Sequence, residues 1–411
     1  MVCDKPWEGN TCAYFRVFQD EEIYRMYYRG SQHDLETRKS SPQVTCYAES
    51  PDGIHWTKPE LGLCDYQGSK KNNIVWTGMG THNFAPFKDT NPDCKTEAKY
   101  KALAGGRGGL VAFGSPDGIR WQLIQEKPVI TEGRFDSQNL AFWDATRNCY
   151  TEFHRHLRDG VRDIMTCTSE DFIHWTQPQF LDFGDAPAEH LYTNAVAPYF
   201  RAPHILLGFP KRFMPERKKE FALVQGVSDG VFMTSRDGLR WHRWLEAFIR
   251  PGPAPERWVA RNNMTAWGIV ATKSETVGVG EELSLYSTEN YYCPKGACRL
   301  RRFTLRMDGF VSVNAPYCGG EFLTRPLVFS GKELLINFST SAAGSLRVEI
   351  QNSQGKVMEG FTLADAEEIY GDEIEHIVSW SGGSDLSKFA GEPIRLHFAM
   401  KDADLYAMRF K

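Results

Sequence analysis

Five short polar segments, spread over the first 263 residues, each set carboxylate, amide or guanidinium groups beside an apolar strand. They are Asp4-Lys-Pro-Trp-Glu8, Thr81-His-Asn83-Phe-Ala-Pro-Phe-Lys-Asp89, Arg134-Phe-Asp136-Ser-Gln-Asn139, Glu189-His-Leu-Tyr192-Thr-Asn194 and Arg261-Asn262-Asn. If they converged on one axis they would make a carboxylate-rich pocket walled by Trp and Phe. Such a pocket suits a sugar, whose hydroxyls need paired donors and acceptors and whose ring face stacks on aromatics.

Convergence requires a repeated architecture, and the chain carries one. Ser50-Pro-Asp52-Gly-Ile-His-Trp56 recurs as Ser115-Pro-Asp117-Gly-Ile-Arg-Trp121, Ser169-Glu-Asp171-Phe-Ile-His-Trp175 and Ser235-Arg-Asp237-Gly-Leu-Arg-Trp241, at intervals of 65, 54 and 66 residues. Each copy follows an apolar strand. Ser and Asp cap backbone amides, Gly supplies positive φ in three of the four, and Trp starts the returning strand. The spacing suits a four-stranded propeller blade with loops. A degenerate fifth copy reads at Arg306-Met-Asp308-Gly-Phe310. The expected fold is all-β: a five-bladed β-propeller over residues 1–315, then a C-terminal β-sandwich over 316–411, where short strands of different texture alternate with turns. The sandwich reads as a buttress or a carbohydrate-binding module, and the lack of an obvious exposed aromatic platform favours the buttress.

Composition bounds the rest. The 411 residues contain 48 basic and 52 acidic side chains, so a nucleic-acid partner is not expected. No apolar run reaches membrane-spanning length, and the start Met1-Val-Cys-Asp-Lys is not a signal peptide, so the expectation as written is cytoplasmic, or secreted if the N-terminus is truncated. Ten cysteines form no zinc pattern; Cys293 and Cys298 could close a small loop, but free thiols are the default. No metal and no cofactor is expected, and the oligomeric state is open. The run Lys211-Arg-Phe-Met-Pro-Glu-Arg-Lys-Lys-Glu220 reads as a solvated loop of mixed charge, not an anion site.

The heptads, the openings Asn83-Phe-Ala-Pro-Phe-Lys-Asp89 and Phe135-Asp136-Ser-Gln-Asn139, and the trailing sandwich together resemble the five-bladed propeller glycoside hydrolases grouped around families 32 and 43. The resemblance spans nearly the whole chain in architecture. The Trp-Met-Asn-Asp-Pro, Arg-Asp-Pro and Glu-Cys motifs of family 32 do not occur, so it points to a divergent member. It implies hydrolysis of a glycosidic bond by carboxylates from separate blades, one protonated while another stays ionised. Asp136, Glu189 as general acid, and Glu8, preferred over Asp4 and Asp89, are the candidates for that trio. Asp89, Asn83, Asn139, Tyr192, Asn194, Arg155, Arg212, Arg261 and Asn262 are the candidate substrate contacts, with His82, His154 and His190 beside them. For each single Arg or His, a salt bridge or a structural hydrogen bond is the plainer role. A non-catalytic carbohydrate-binding propeller is the alternative reading. An interaction propeller is disfavoured because its blades run near 40–45 residues.

Overall fold

The computed structural model describes residues 1–292 and 297–411. These residues form strands and three short 3₁₀ turns, with no α-helix among them and therefore none long and apolar enough to cross a membrane. Residues 1–280 and 284–304 make one compact unit; 305–411, together with 281–283, make the other.

The first unit is a succession of antiparallel sheets. The first contains β1 (Ala13–Asp20), β2 (Ile23–Gly30), β3 (Val44–Ser50) and β4 (Ile74–Thr77) in that order. The second contains β5 (Ala85–Lys88), β6 (Tyr100–Gly106), β7 (Gly109–Ser115) and β8 (Gln122–Leu123). The third contains β9 (Leu140–Asp144), β10 (Cys149–Arg158), β11 (Val161–Ser169) and β12 (Gln179–Phe180). The fourth is a meander broken in two. Of its strands β13 (His190–Leu191), β14 (Ala197–Tyr199), β15 (Ala202–Gly208), β16 (Lys211–Met214), β17 (Val227–Gly230), β18 (Met233–Ser235) and β19 (His242–Arg243), one sheet orders β14-β15-β18-β19 and the other β13-β16-β17. The break falls at Pro210, which lacks the N–H that a continuous β15–β16 ladder would need. The last sheet contains β20 (Val270–Lys273), β21 (Glu281–Glu289) and β22 (Arg299–Leu305).

The four heptads form the same turn four times. Ser50, Ser115, Ser169 and Ser235 Oγ each accept the amide three residues on, at 2.9 Å in every copy. Asp52, Asp117, Asp171 and Asp237 Oδ1 each accept the amides two and three residues on, at 2.7–2.9 Å. Gly53, Gly118 and Gly238 take φ of 73°, 76° and 78°; Phe172 stands in the same place with φ 69° and a fully buried ring. Such a φ is costly for a side chain with a Cβ.

These turns fasten one sheet to the next. The Tyr27 hydroxyl of β2 donates to Gly118 O at 2.8 Å, Phe87 of β5 packs on Phe172 at 5.7 Å between ring centroids, and Arg147 donates to Asp237 O at 2.6 Å. Tyr286 of β21 closes the series by donating to Gly53 O at 2.5 Å. Between the last sheet and the first, Val17 N donates to Trp267 O at 2.8 Å and Trp267 N to Phe15 O at 2.9 Å. Trp267 Nε1 reaches Val196 O of the fourth segment at 2.7 Å. Residues 1–3 add to the edge of the last sheet, with Val2 bridging Arg299 and Cys3 N donating to Cys298 O at 2.9 Å.

In the second unit β23 (Val313–Ala315), β24 (Gly320–Leu323), β25 (Leu334–Asn352), β26 (Asp372–Ile377) and β27 (Ile394–Phe410) pair around two long central strands. The β25–β27 register slips between Thr340 and Ser345, dividing both strands into halves. Leu334, Ile336 and Phe338 from one half share a core with Leu346, Val348, Ile350, Trp380 and Phe398. This unit begins at Leu305, eleven residues before the expected boundary at Pro316. The degenerate heptad at Arg306–Phe310 therefore belongs to the second unit, where Arg306 Nε binds Asn337 Oδ1 at 3.0 Å.

Candidate functional site

The inner strands of the first unit begin from loops in which buried amides fix the backbone. Asn83 Nδ2 donates to Phe135 O and to Ser137 O, and its Oδ1 accepts Gly105 N at 3.0 Å. Asn139 Nδ2 donates to the same two carbonyls at 3.1 and 3.2 Å. Asn194 Nδ2 reaches Phe153 O at 3.2 Å, and Asn262 Oδ1 accepts Tyr291 N at 2.9 Å. All four are buried. These amides, expected as substrate contacts, are committed to the backbone and hold the inner loops in place. Gln138, not singled out from the sequence, does the same through Ala195 N at 2.9 Å.

What the loops present at their shared end is mainly aromatic and cationic. The Asp136 side chain keeps 68% of its surface exposed, with Oδ1 paired to Arg155 Nη2. The Tyr14 hydroxyl donates to the Asp136 carbonyl at 3.1 Å, and that of Tyr192 approaches the same oxygen at 3.5 Å. Around the Tyr192 ring stand Lys211 Nζ at 3.9 Å from the centroid, Arg155 at 4.7 Å and Arg162 at 5.8 Å. Arg29 and Arg261 both donate to the Tyr291 hydroxyl, at 2.7 and 3.2 Å. Arg29 also binds His82 Nδ1 at 3.2 Å and stacks on Tyr14 at 5.1 Å. Burial, then Arg29 and Arg261, hold the His82 imidazole down to about 4, with Asp136 opposing. Burial, then Tyr192, pushes the Tyr14 phenol well above its ordinary value. Burial drives the Lys211 ammonium well below its ordinary range, and Arg261, Arg155 and Arg162 add to the effect. Tyr14, Ala195, Arg261 and Tyr292 all take positive φ (55°, 42°, 69° and 62°). Strain of this kind costs on the order of 1–3 kcal/mol per residue and clusters where side chains must be aimed.

The expected carboxylate trio is not assembled. Glu8 lies in the core of the first sheet: its carboxylate accepts from Tyr28 Oη at 2.5 Å, Lys58 Nζ at 2.8 Å and Lys5 N at 2.8 Å, and burial pushes its carboxyl up. Glu189 pairs with Arg243 and, at 3.2 Å, with Arg212, which is bidentate on Asp229 at 2.9 and 2.7 Å. No hydrogen bond or ion pair joins Asp136, Glu8 and Glu189 to one another among the described residues. Asp89 is also misplaced. It follows β5 at the end opposite Asn83, about 20 Å along an extended chain, and is buried on Lys101 and Tyr150, whose hydroxyl donates to it at 2.7 Å. Arg212 thus belongs to the Glu189 network and Asp4 pairs with Lys58, whereas Arg155, Arg261, Tyr192 and His82 share the site with Asp136. His154 is buried on Glu152 at 2.7 Å, and His190 Nδ1 accepts Arg162 N at 3.0 Å.

Lys211 was hidden by its sequence context. The run 211–220 is not one solvated loop: Lys211–Met214 is strand β16, and Lys211 is 1% exposed. Arg29, Arg162, Tyr14 and Tyr291 were likewise unmarked, since each sits in a segment that reads as ordinary strand or loop. Cys293 lies outside the described residues; the Cys298 thiol donates to Cys12 O at 3.3 Å.

One hollow of about 330 Å³, lined by Val17, Phe18, Phe87, Phe142, Trp143 and Pro198 among others, is chiefly apolar and reaches Lys88 and Thr90 on either side of Asp89, and none of the groups about Tyr192 and Tyr291 lines it. The other, about 260 Å³, adjoins the site at Tyr291 and Tyr292 and is walled by Phe221, Leu223, Pro255 and Val259.

No family model and no curated protein matches the sequence. Among solved structures, similarity extends to a glycoside hydrolase (12% identity, TM-score 0.48, 73% of this chain and 90% of that one). It also extends to a GH32 β-fructofuranosidase from Bombyx mori (9%, 0.45, 100% and 93%) and an endo-arabinase from Bacteroides thetaiotaomicron VPI-5482 (9%, 0.44, 75% and 97%). All three are glycosidases, the class that the sequence resembles. At such identities no residue of theirs is carried onto this chain.

Proposed function

We propose that the chain is a glycosidase-type enzyme whose first unit is a five-bladed β-propeller, whose second is a β-sandwich, and whose substrate binds at the mouth marked by Asp136. The cyclic fastening of sheet to sheet through the heptad turns, returning from Tyr286 to Gly53, supports the ring. One observation carries the functional reading. Asp136 is an exposed carboxylate held by Arg155 where the loops meet, with the Tyr14 and Tyr192 hydroxyls at its carbonyl, while the other two candidate carboxylates are engaged elsewhere. Asp136 is the working carboxylate in this reading. The protonated Tyr14 phenol and the neutral His82 imidazole are the proton carriers nearest to it.

A panel of aryl glycosides and oligosaccharides tests the proposal. Asp136→Asn should cut turnover of whichever glycoside the wild type cleaves by at least ~100-fold, the low end for lost general acid–base assistance, with thermal unfolding nearly unchanged. Retained turnover in Asp136→Asn would remove the residue from the chemistry. The lack of a carboxylate partner for Asp136 among the described residues favours a second reading, a non-catalytic carbohydrate-binding propeller. Sugar binding without turnover on any of the panel would establish it over the first.

A further inference from the structure

Arg155, Arg162 and Lys211 gather on the ring of Tyr192, and Arg29 and Arg261 meet at the Tyr291 hydroxyl. Among the described residues only Arg155 of these five is paired with Asp136. Lys211 is the most telling: its ammonium is carried on a side chain 1% exposed and rests on the face of Tyr192, with neither a hydrogen bond nor a carboxylate partner among the described residues. Removing an ammonium from water costs several kcal/mol even after relaxation. A cation–π contact returns about 2 kcal/mol at best. Three guanidiniums close enough to repel it make the position worse. A cluster of this kind is costly in the empty protein and becomes favourable when an anion enters it.

The donor and acceptor balance points the same way. Guanidinium and ammonium groups donate only, and the side-chain oxygens of Asn83, Asn194 and Asn262 already accept backbone N–H groups. A neutral sugar would find too few acceptors, whereas an oxyanion needs none. We infer, on the basis of the carbohydrate reading above, that the mouth takes a saccharide bearing an oxyanion, a carboxylate or a sulfate ester, seated on Lys211, Arg155, Arg162 and Arg261. The fork of an arginine suits either group. A nucleic acid would need an extended basic track, and the chain as a whole carries a net charge of −4.

Calorimetric titration of the full chain with galacturonate oligomers, galactose 6-sulfate, neutral galactose oligomers and inorganic sulfate tests the inference. The acidic saccharides should bind at least ~10-fold more tightly than the neutral oligomers and than inorganic sulfate. Lys211→Met and Arg261→Gln should each weaken that binding about 10- to 100-fold, as loss of one charge-assisted hydrogen bond predicts. Lys211→Met should also raise the midpoint of thermal unfolding of the free protein. Arg162→Gln serves if Arg261→Gln does not fold. The stronger of the carboxylate and sulfate arms identifies the group recognised. Equal affinity for neutral and acidic oligomers, binding of inorganic sulfate as tight as that of the sugars, binding of none of these probes, or unchanged affinity in Lys211→Met would overturn the inference. Acidic saccharides that bind without being cleaved leave it standing and remove the glycosidase reading. Cleavage of neutral glycosides only does the reverse.

Discussion

Phe172 occupies the glycine position of the third heptad, and replacing it with glycine sets two opposed effects against each other. Relief of the left-handed backbone should return about 1–2 kcal/mol, the penalty for an L-residue in that region. Against this, the ring is fully buried and packs on Tyr150 at 5.2 Å, Trp175 at 5.6 Å and Phe87 at 5.7 Å. Emptying such a site costs about 3–5 kcal/mol. The cavity wins, and Phe172→Gly should destabilise the protein by roughly 2–3 kcal/mol, the difference between these two terms. Phe172→Ala opens nearly the same cavity and keeps the strain, so it should be worse than the glycine variant by about 1 kcal/mol, the reverse of the usual order in strands and helices. Equilibrium urea unfolding followed by tryptophan fluorescence reads both numbers. A Phe172→Gly variant as stable as the wild type would mean that the ring does not rivet the second sheet to the third. An alanine variant at least as stable as the glycine one would refute the strain at that backbone position.

Asp117→Ala removes the acceptor of two backbone amides and of the Ser115 hydroxyl, and should cost about 2–3 kcal/mol in the same assay at ~1 kcal/mol per bond. The carboxyls of Asp52, Asp117, Asp171 and Asp237 are all held below their ordinary range, against burial, chiefly by their own turn amides and by the imidazoles or guanidinium that follow. The stability they give is complete above the unfolded carboxylate range and is lost as pH falls through the depressed folded values, so acid titration should show a four-carboxylate loss that Asp→Asn variants reduce one at a time. His82, held down to about 4 from 6.5, acts in a higher window. The unfolded chain protonates first, so stability should fall between about pH 6.5 and 4, and His82→Gln should flatten the pH dependence there. Glu189→Gln weakens the pairing with Arg212 and Arg243 and should lower the thermal midpoint while turnover per folded molecule stays within a few-fold of wild type. Equal loss of turnover in Glu189→Gln and Asp136→Asn would return Glu189 to the chemistry.

The heptads were legible because their chemistry is local: Ser, Asp, Gly and Trp satisfy one another within seven residues, and no distant contact is needed to recognise the turn. Asp136, Arg155, Tyr192 and Arg261 were legible as members of polar segments at strand starts. Glu8 and Asp89 misled for the same reason, since a sequence does not say which end of a short strand a carboxylate faces or whether a Tyr and a Lys from another strand will bury it. Lys211 was hidden inside a run of charges. Lys211 opens strand β16, and the solvated residues of the run begin only beyond Met214.

The pairing of residues 1–3 with the edge of β22 bears on how the molecule is made. The Met1 ammonium donates to Leu300 O at 2.9 Å and Leu300 N returns a bond to Met1 O at 2.9 Å, a contact across 299 positions. At ~5–20 residues per second, a ribosome needs about 15–60 s to deliver the partner after the first residues emerge. For that interval residues 1–3 and β1 are without their partners at Leu300 and Trp267. Bringing these segments together closes a loop across 299 positions, and the entropy of that closure slows it. Stalled or truncated products short of β22 should stay open and expose strand edges to other chains, which makes synthesis itself the period in which this protein is most exposed to aggregation.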